Sequence, residues 1–452
     1  MDRKKRHSRV VRQRILAFVF TILVLALITF GMYMGIRYLA DMGLFDKKPE
    51  PVTEVATEPT EEPSEESSWV SVETEEIKDD YAEVDTTVLS EDEIPSEEAV
   101  IESDEEIESI VSNLDLEEKV SQLFLVTPES ITGMETVTRA GDTTRDALTQ
   151  YPVGGLIYFE QNFEDPDQTK EMLANTSAYI TDACGIKPFL AVDEEGGRVV
   201  RLAEHEGFEI ENVGPMADIG SSGDIDKAYE AGATIAAYMT ELGLNLDFAP
   251  VADVLTDSSS EVIGDRSFGS DAGTVARLSW QVASGLQDNG VVACFKHFPG
   301  HGSVGGDTHT SSVSSPKTKE ELYKSDLIPF QNAIDSGARM IMISHISYPE
   351  ITGDDMPASL SGVMINDILR GELGYTGVII TDSFLMDAVT QKYQDPGEAA
   401  VAALNAGADM ILMPADFHEA YNAVLSAASS GSLDEAKIDD SLRRILKVKL
   451  GR

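Results

Sequence analysis

The sequence predicts a (β/α)₈ barrel, and three observations carry that reading. Eight short apolar runs recur along residues 111–452: VSQLFLVTP (from Val120), VGGLIYFE (from Val153), KPFLAVDEEG (from Lys187) and LNLDFAPVADV (from Leu244), then VVACFKHFPGHG (from Val291), ARMIMISHI (from Ala338), TGVIITDSF (from Thr376) and ADMILMPA (from Ala408). Most are rich in Val, Ile, Leu and Met over five to seven residues, as parallel strands buried on both faces require. Between them lie helix-like stretches such as DPDQTKEMLANTSAYITDA, DIDKAYEAGATIAAYMTELG and PKTKEELYKSDLIPFQNAIDSG, several ending in the glycine that stops a helix. Eight such alternations fill a barrel. A doubly wound open sheet is the competing fold, but no dinucleotide glycine fingerprint follows the first strand.

The chain ahead of the barrel reads differently. Residues 1–14 form a basic tail, and residues 15–36 an uncharged apolar run long enough to cross a bilayer. The basic flank predicts a signal anchor with the tail inside and all that follows outside, a single pass in the cell membrane. A cleaved signal peptide fits less well: GIRYLADMGLFDKK holds neither an A-x-A site nor a lipoprotein cysteine. Residues 37–110 are expected to be a disordered acidic linker. EPTEEPSEESS and SDEEIESI scatter their apolar residues without a period, so the segment cannot bury enough surface to offset its ordering entropy. A flexible stalk of this length reaches roughly 45 Å.

The formal net charge of −46 in 452 residues argues against a nucleic-acid partner, which needs Lys and Arg to displace counterions. Two cysteines, Cys184 and Cys294, are too few for a disulfide framework or a thiolate zinc site, and read as small core hydrophobes. Nothing in the sequence fixes an oligomeric state.

In such a barrel the site lies at the C-terminal ends of the strands. There the sequence gathers polar groups: Asp193 through Arg198 with Arg201, Asp265 and Arg266, Lys296 and His297, His301, Asp307 and His309, Ser344 and His345, and Asp382. FKHFPGHGSVGGDTH resembles the signature of glycoside hydrolase family 3, in its β-N-acetylglucosaminidase branch. VDEEGGRVVR, VIGDRSFG and TDSFLMDA resemble other blocks of that family, in its order. The long block is specific, whereas TD-x-x-x-M-x-A alone is weak.

The resemblance implies a retaining, exo-acting β-N-acetylglucosaminidase acting on cell-wall peptidoglycan fragments or chito-oligosaccharides with terminal N-acetylglucosamine. It implies no cofactor and no metal. Asp382 becomes the nucleophile and His309 the acid and base, oriented by Asp307. Asp193, Arg201, Arg266, Lys296 and His297 become sugar-binding residues. Glycosidases usually pair two carboxylates, but imidazole titrates near neutrality and can both give and take a proton there. The glycines of GSVGGD allow the loop carrying His309 to close over the sugar. Two departures from the family pattern bear on the pocket floor and the loop: Ser383 with Phe384 after Asp382, and Val313 where a Leu-Pro pair is common.

Bland readings compete at several positions. Asp193 and Arg201 could form a structural ion pair, His297 could be a core histidine, and His301 and His345 read as structural. Two rival functions are a metal-dependent barrel hydrolase using His297, His301, Asp307 and His309, and a silent glycan-binding protein. A third alternative is phosphorolysis of the same glycoside.

Overall fold

In the computed structural model, residues 97–451 are described, with side chains from 104 onward. The basic tail, the apolar run and most of the acidic linker lie outside the described residues. Among the described residues no helix is long and apolar enough to cross a membrane.

All eight apolar runs form strands: β1 (Phe124–Val126), β2 (Gly155–Ile157), β3 (Phe189–Val192), β4 (Leu246–Asp247), β5 (Val292–Phe298), β6 (Met340–Ile343), β7 (Val378–Thr381) and β8 (Ile411–Leu412). Every neighbouring pair is parallel, in the order β8-β1-β2-β3-β4-β5-β6-β7. A parallel bridge from Ile380 to Met410 joins the two ends. Strand residues are buried throughout, because side chains of one face fill the barrel and those of the other meet helices.

The connecting helices carry the expected punctuation. Pro166–Cys184 starts on Asp165, whose carboxylate accepts from Gln168 N–H, and stops at Gly185 in the left-handed region at φ 76°. Ile225–Leu242 runs from Asp224 to Gly243 in the same manner. The segment expected as one helix after Pro316 is two, Lys319–Lys324 and Leu327–Asp335. The break falls where Asp326, fully buried, turns inward to pair with Lys317.

The helix Glu435–Lys449 closes the N-terminal mouth of the barrel. Ser441 and Arg444 both donate to Asp409 Oδ1 at 2.8 Å just before β8, and Lys449 Nζ lies 5.1 Å from the ring centre of Phe189 at the start of β3. Against this helix packs Glu97–Asn113, burying Ile107 and Val111 and pairing Glu108 with Arg443 at 2.5 Å and Asp104 with Lys447 at 3.3 Å. The boundary expected between residues 110 and 111 therefore falls inside a helix. Acidic residues that read as solvated linker meet the basic end of the last helix, while the apolar residues among them are few but correctly spaced to pack.

Candidate active site

Asp193, Lys296, His297 and Asp382 sit at strand ends, and Arg201, Arg266, Asp307 and His309 on the loops that follow β3, β4 and β5. After β3, Glu194 turns away from the cavity and accepts from the backbone N–H groups of Arg201 (2.6 Å), Leu202 (3.1 Å) and Ala203 (2.9 Å) and from the Tyr238 hydroxyl (3.0 Å). That cluster folds the loop back and returns Arg201 beside Asp193. The fold-back needs Gly196, at φ 85°, where an added Cβ would stand 2.6 Å from Val213.

Asp193 and Glu195, flanking Glu194, face the other way. Lys296 Nζ lies 2.8 Å from Asp193 Oδ1 and 2.6 Å from Glu195 Oε1. Arg266 binds Glu195 through two bonds of 2.7 Å each, from Nε and Nη2. Arg201 approaches Asp193 at 3.5 Å and lies over the Phe159 ring, 5.4 Å from its centre. Burial alone would raise the Glu195 carboxyl, but Arg266 and Lys296 hold it far below the ordinary range. Burial likewise opposes the charge on Lys296, and Asp193 and Glu195 more than restore it, so the ammonium stays protonated.

At the end of β5, His297 Nδ1 lies 2.7 Å from Asp253 Oδ2. The other oxygen of Asp253 accepts from the backbone N–H of His297 (3.2 Å) and of His301 (2.6 Å). One buried carboxylate thus fixes the His297 ring and the turn that follows. Beyond the turn, His309 Nδ1 lies 2.7 Å from Asp307 Oδ1, and the His309 backbone N–H donates to the same oxygen at 2.9 Å. His309 is largely exposed, as a group that meets substrate must be.

Asp382 follows β7. Its Oδ1 accepts from Ser383 N–H at 2.7 Å, and its own N–H donates to Ile343 O at 2.9 Å. Burial pushes its carboxyl up, but the electrostatic influence of His297, then that of His345, the Ser383 N–H and His309 bring it below the ordinary value. His345 is buried and held below its usual value by that burial. Its Nε2 lies 2.9 Å from Ser383 O, which can only accept, so Nε2 carries the proton; Nδ1 meets the Ser359 hydroxyl at 2.7 Å. Phe384 stacks edge-on against His345, 5.6 Å between ring centres, and Val313 joins a two-stranded ribbon with Ile346. Both departures from the family pattern thus fill packed positions.

Asp193, Arg201, Arg266, Lys296, His297, His309 and Asp382 all line a single cavity of about 440 Å³, with Asp307 behind His309. Glu195, His301, Thr308 and Ser383 also reach it, and the rest of its wall is apolar, including Ile157, Met342, Leu385 and Met413. Sequence reasoning passed over Glu195, Asp253 and His345. A signal existed for Asp253, a lone carboxylate in the apolar run FAPVADV, which must find a partner if buried. Among the described residues no group of three or more His, Cys, Asp or Glu side chains is arranged to hold a metal ion. His297, His301 and His309 are turned to Asp253, Thr308 and Asp307 respectively.

The family model for the glycosyl hydrolase family 3 N terminal domain matches residues 115–448. The chain belongs to glycosyl hydrolase family 3. As a family 3 member it is a glycoside hydrolase. It is 38% identical over 278 residues to a beta-hexosaminidase of Nitrosomonas eutropha, covering 60% of this chain and 76% of that one. It is 35% identical over 332 residues to a beta-hexosaminidase of Stenotrophomonas maltophilia, covering 68% and 95%. Among solved structures, a family 3 beta-N-acetylglucosaminidase from Paenibacillus matches with TM-score 0.70 and 38% identity over 75% of this chain. The match spans 62% of that longer protein. A beta-N-acetylhexosaminidase from Beutenbergia cavernae matches with TM-score 0.67 and 31% identity, over 75% of this chain and 99% of its own.

Proposed function

We propose that the chain is a retaining, exo-acting β-N-acetylglucosaminidase that removes terminal β-linked N-acetylglucosamine from peptidoglycan fragments or chito-oligosaccharides. The observation that carries this reading is one cavity holding both an ionised, buried Asp382 and an exposed His309 backed by Asp307. Asp382 attacks the anomeric carbon as His309 Nε2 protonates the departing oxygen, giving a covalent glycosyl-aspartate. His309 then takes a proton from water, which attacks the same carbon and releases Asp382. Asp307 holds Nδ1–H, which leaves Nε2 as the nitrogen that exchanges the proton. Asp193, Arg201, Arg266, Lys296 and His297 grip the sugar from the β3, β4 and β5 side, and a half-open pocket of this size takes one terminal sugar with its leaving group toward solvent.

The apolar run at 15–36 with its basic flank supports placement of the enzyme on the outer side of a membrane, on an acidic tether. There water is abundant and a sugar phosphate would be lost, which favours hydrolysis over phosphorolysis.

The test is hydrolysis of a chromogenic β-N-acetylglucosaminide by the full chain, beside Asp382→Ala and His309→Ala. The reading expects loss of activity in the first and a strong reduction in the second, β-configured sugar as the first-formed product, and undiminished activity in chelator. Sugar 1-phosphate as the main product in phosphate buffer would move the reading to phosphorolysis, and no turnover in the folded wild type would remove it.

A further inference from the structure

The cavity is chemically divided. Its cations, Arg201, Arg266 and Lys296, come from β3, β4 and β5 and the loops after them, whereas the segments after β7 and β8 add Leu385, Met386 and Met413 beside the single charge of Asp382. Leu385 is 52% exposed and, unlike the other exposed large apolar residues Met134, Ile225, Tyr323, Ile328 and Leu450, it lines the cavity. It stands next to the loop of His309, because Ala388 N–H donates to Thr308 O at 3.3 Å. A group leaving from the oxygen protonated by His309 departs past that histidine, and so past Leu385.

Acidic residues neighbour this side in sequence. Asp307 lies two residues before His309, Asp387 two residues after Leu385, and Asp416 three after Met413. Lys392, on the same segment as Leu385, is paired with Asp355 at 2.7 Å. The three cations lining the cavity are likewise committed: Lys296 and Arg266 to Glu195, and Arg201 to Asp193 on the far side. Among the described residues, no Arg or Lys lining the cavity lacks a carboxylate partner.

We propose that Leu385, with Met413 beside it, is the platform for the leaving group, and that the enzyme takes neutral aglycones in preference to acidic ones. The second ring of a chito-oligosaccharide fits: it is uncharged and offers an apolar C–H face to Leu385. A muramic-type ring bearing a free lactyl carboxylate does not. Its charge would be desolvated against methyl groups, and every Arg or Lys lining the cavity is already held by a carboxylate. This inference rests on the β-N-acetylglucosaminidase reading and narrows it to one substrate class.

The test compares kcat/KM of the full chain on three compounds with the same terminal sugar. They are diacetylchitobiose, N-acetylglucosaminyl-β-1,4-muramic acid, and the methyl ester of the latter, with β-N-acetylglucosaminyl fluoride as a reference that has almost no aglycone. The expected result is a preference of roughly tenfold or more for chitobiose over the acid, most of it recovered by the ester. Leu385→Lys should erase that preference. Leu385→Ala should lower chitobiose relative to the fluoride by roughly tenfold. Equal rates on acid and ester in the wild type, or a preference unmoved by Leu385→Lys, would overturn the proposal. Turnover of none of the four compounds would instead sink the activity, and the preference with it.

Discussion

Glu195 holds Lys296 in place: its Oε1 lies 2.6 Å from the ammonium, and the same carboxylate takes both bonds from Arg266. All three side chains are nearly or fully buried. Glu195→Gln would leave two buried cations sharing one remaining carboxylate, Asp193. Breaking a buried pair of this kind costs about 3–5 kcal/mol. We expect a lower melting temperature together with a loss of 10²-fold or more in kcat/KM, on the order of 3 kcal/mol of transition-state binding. Calorimetry and kinetics on the same sample check both. Full activity in the variant would make Glu195 a packing group only.

The fold was legible in the sequence because a barrel strand buried on both faces must be largely apolar, and most of β1 to β8 satisfy that, with charged residues such as Asp247 and Lys296 confined to β4 and β5. The cavity-lining positions of Lys296 and His309 were legible because both fall in one long, specific motif, while Asp382 was placed by the order of the blocks more than by its own short motif. Glu195 was hidden for a physical reason. Asp193, Glu194 and Glu195 are chemically alike in sequence, and only the fold-back around Gly196 sends Glu194 to backbone amides and its neighbours to cations. His345 was set aside as structural. Its bond to Ser383 O makes it a support for the chain segment that carries Asp382, which spacing alone does not reveal. The domain start was misplaced because Ile107 and Val111 are too sparse a pattern among acids to announce a helix.

Asp307 acts through His309, so its removal should scale with how much help the leaving group needs. Asp307→Asn frees the ring and removes the charge that steadies imidazolium. For a poor leaving group, such as a second sugar, we expect roughly a 10²-fold fall in kcat/KM or more. For β-N-acetylglucosaminyl fluoride, which departs with little protonation, the fall should be much smaller. Equal losses on both substrates would assign Asp307 a structural role instead.

The acid limb of activity should report Asp382. Its carboxyl sits below the ordinary aspartate value in spite of burial, with His297 the largest opposing cause. Attack needs the ionised form, so kcat/KM should hold as pH falls through about 4 and drop only beyond it. His297→Gln removes that interaction and leaves burial less opposed. The limb should then move to higher pH, whatever happens to the absolute rate. A limb that stays in place would mean that another group sets it.

Lys449, on the helix that closes the barrel floor, tests stability apart from catalysis. Its Nζ donates to Gln122 Oε1 at 2.9 Å and otherwise meets the Phe189 ring, with no carboxylate among its bonded partners. Burial pulls its pKa down to about 7, with Cys184 opposing weakly. The residue keeps partial solvent access, so the full shift overstates the energy. The folded-state pKa lies below the unfolded one, so the fold prefers the neutral amine. Protonation is therefore penalised most fully below pH 7, and the penalty fades as pH rises toward 10.5. Lys449→Met keeps the volume without the charge and should stabilise the protein near pH 6 by about 1–2 kcal/mol, or about 2–4 °C in Tm. Thermal unfolding of both proteins across pH 6 to 10 should show that gain shrinking steadily. A gain independent of pH would mean that packing, not the buried charge, separates the two.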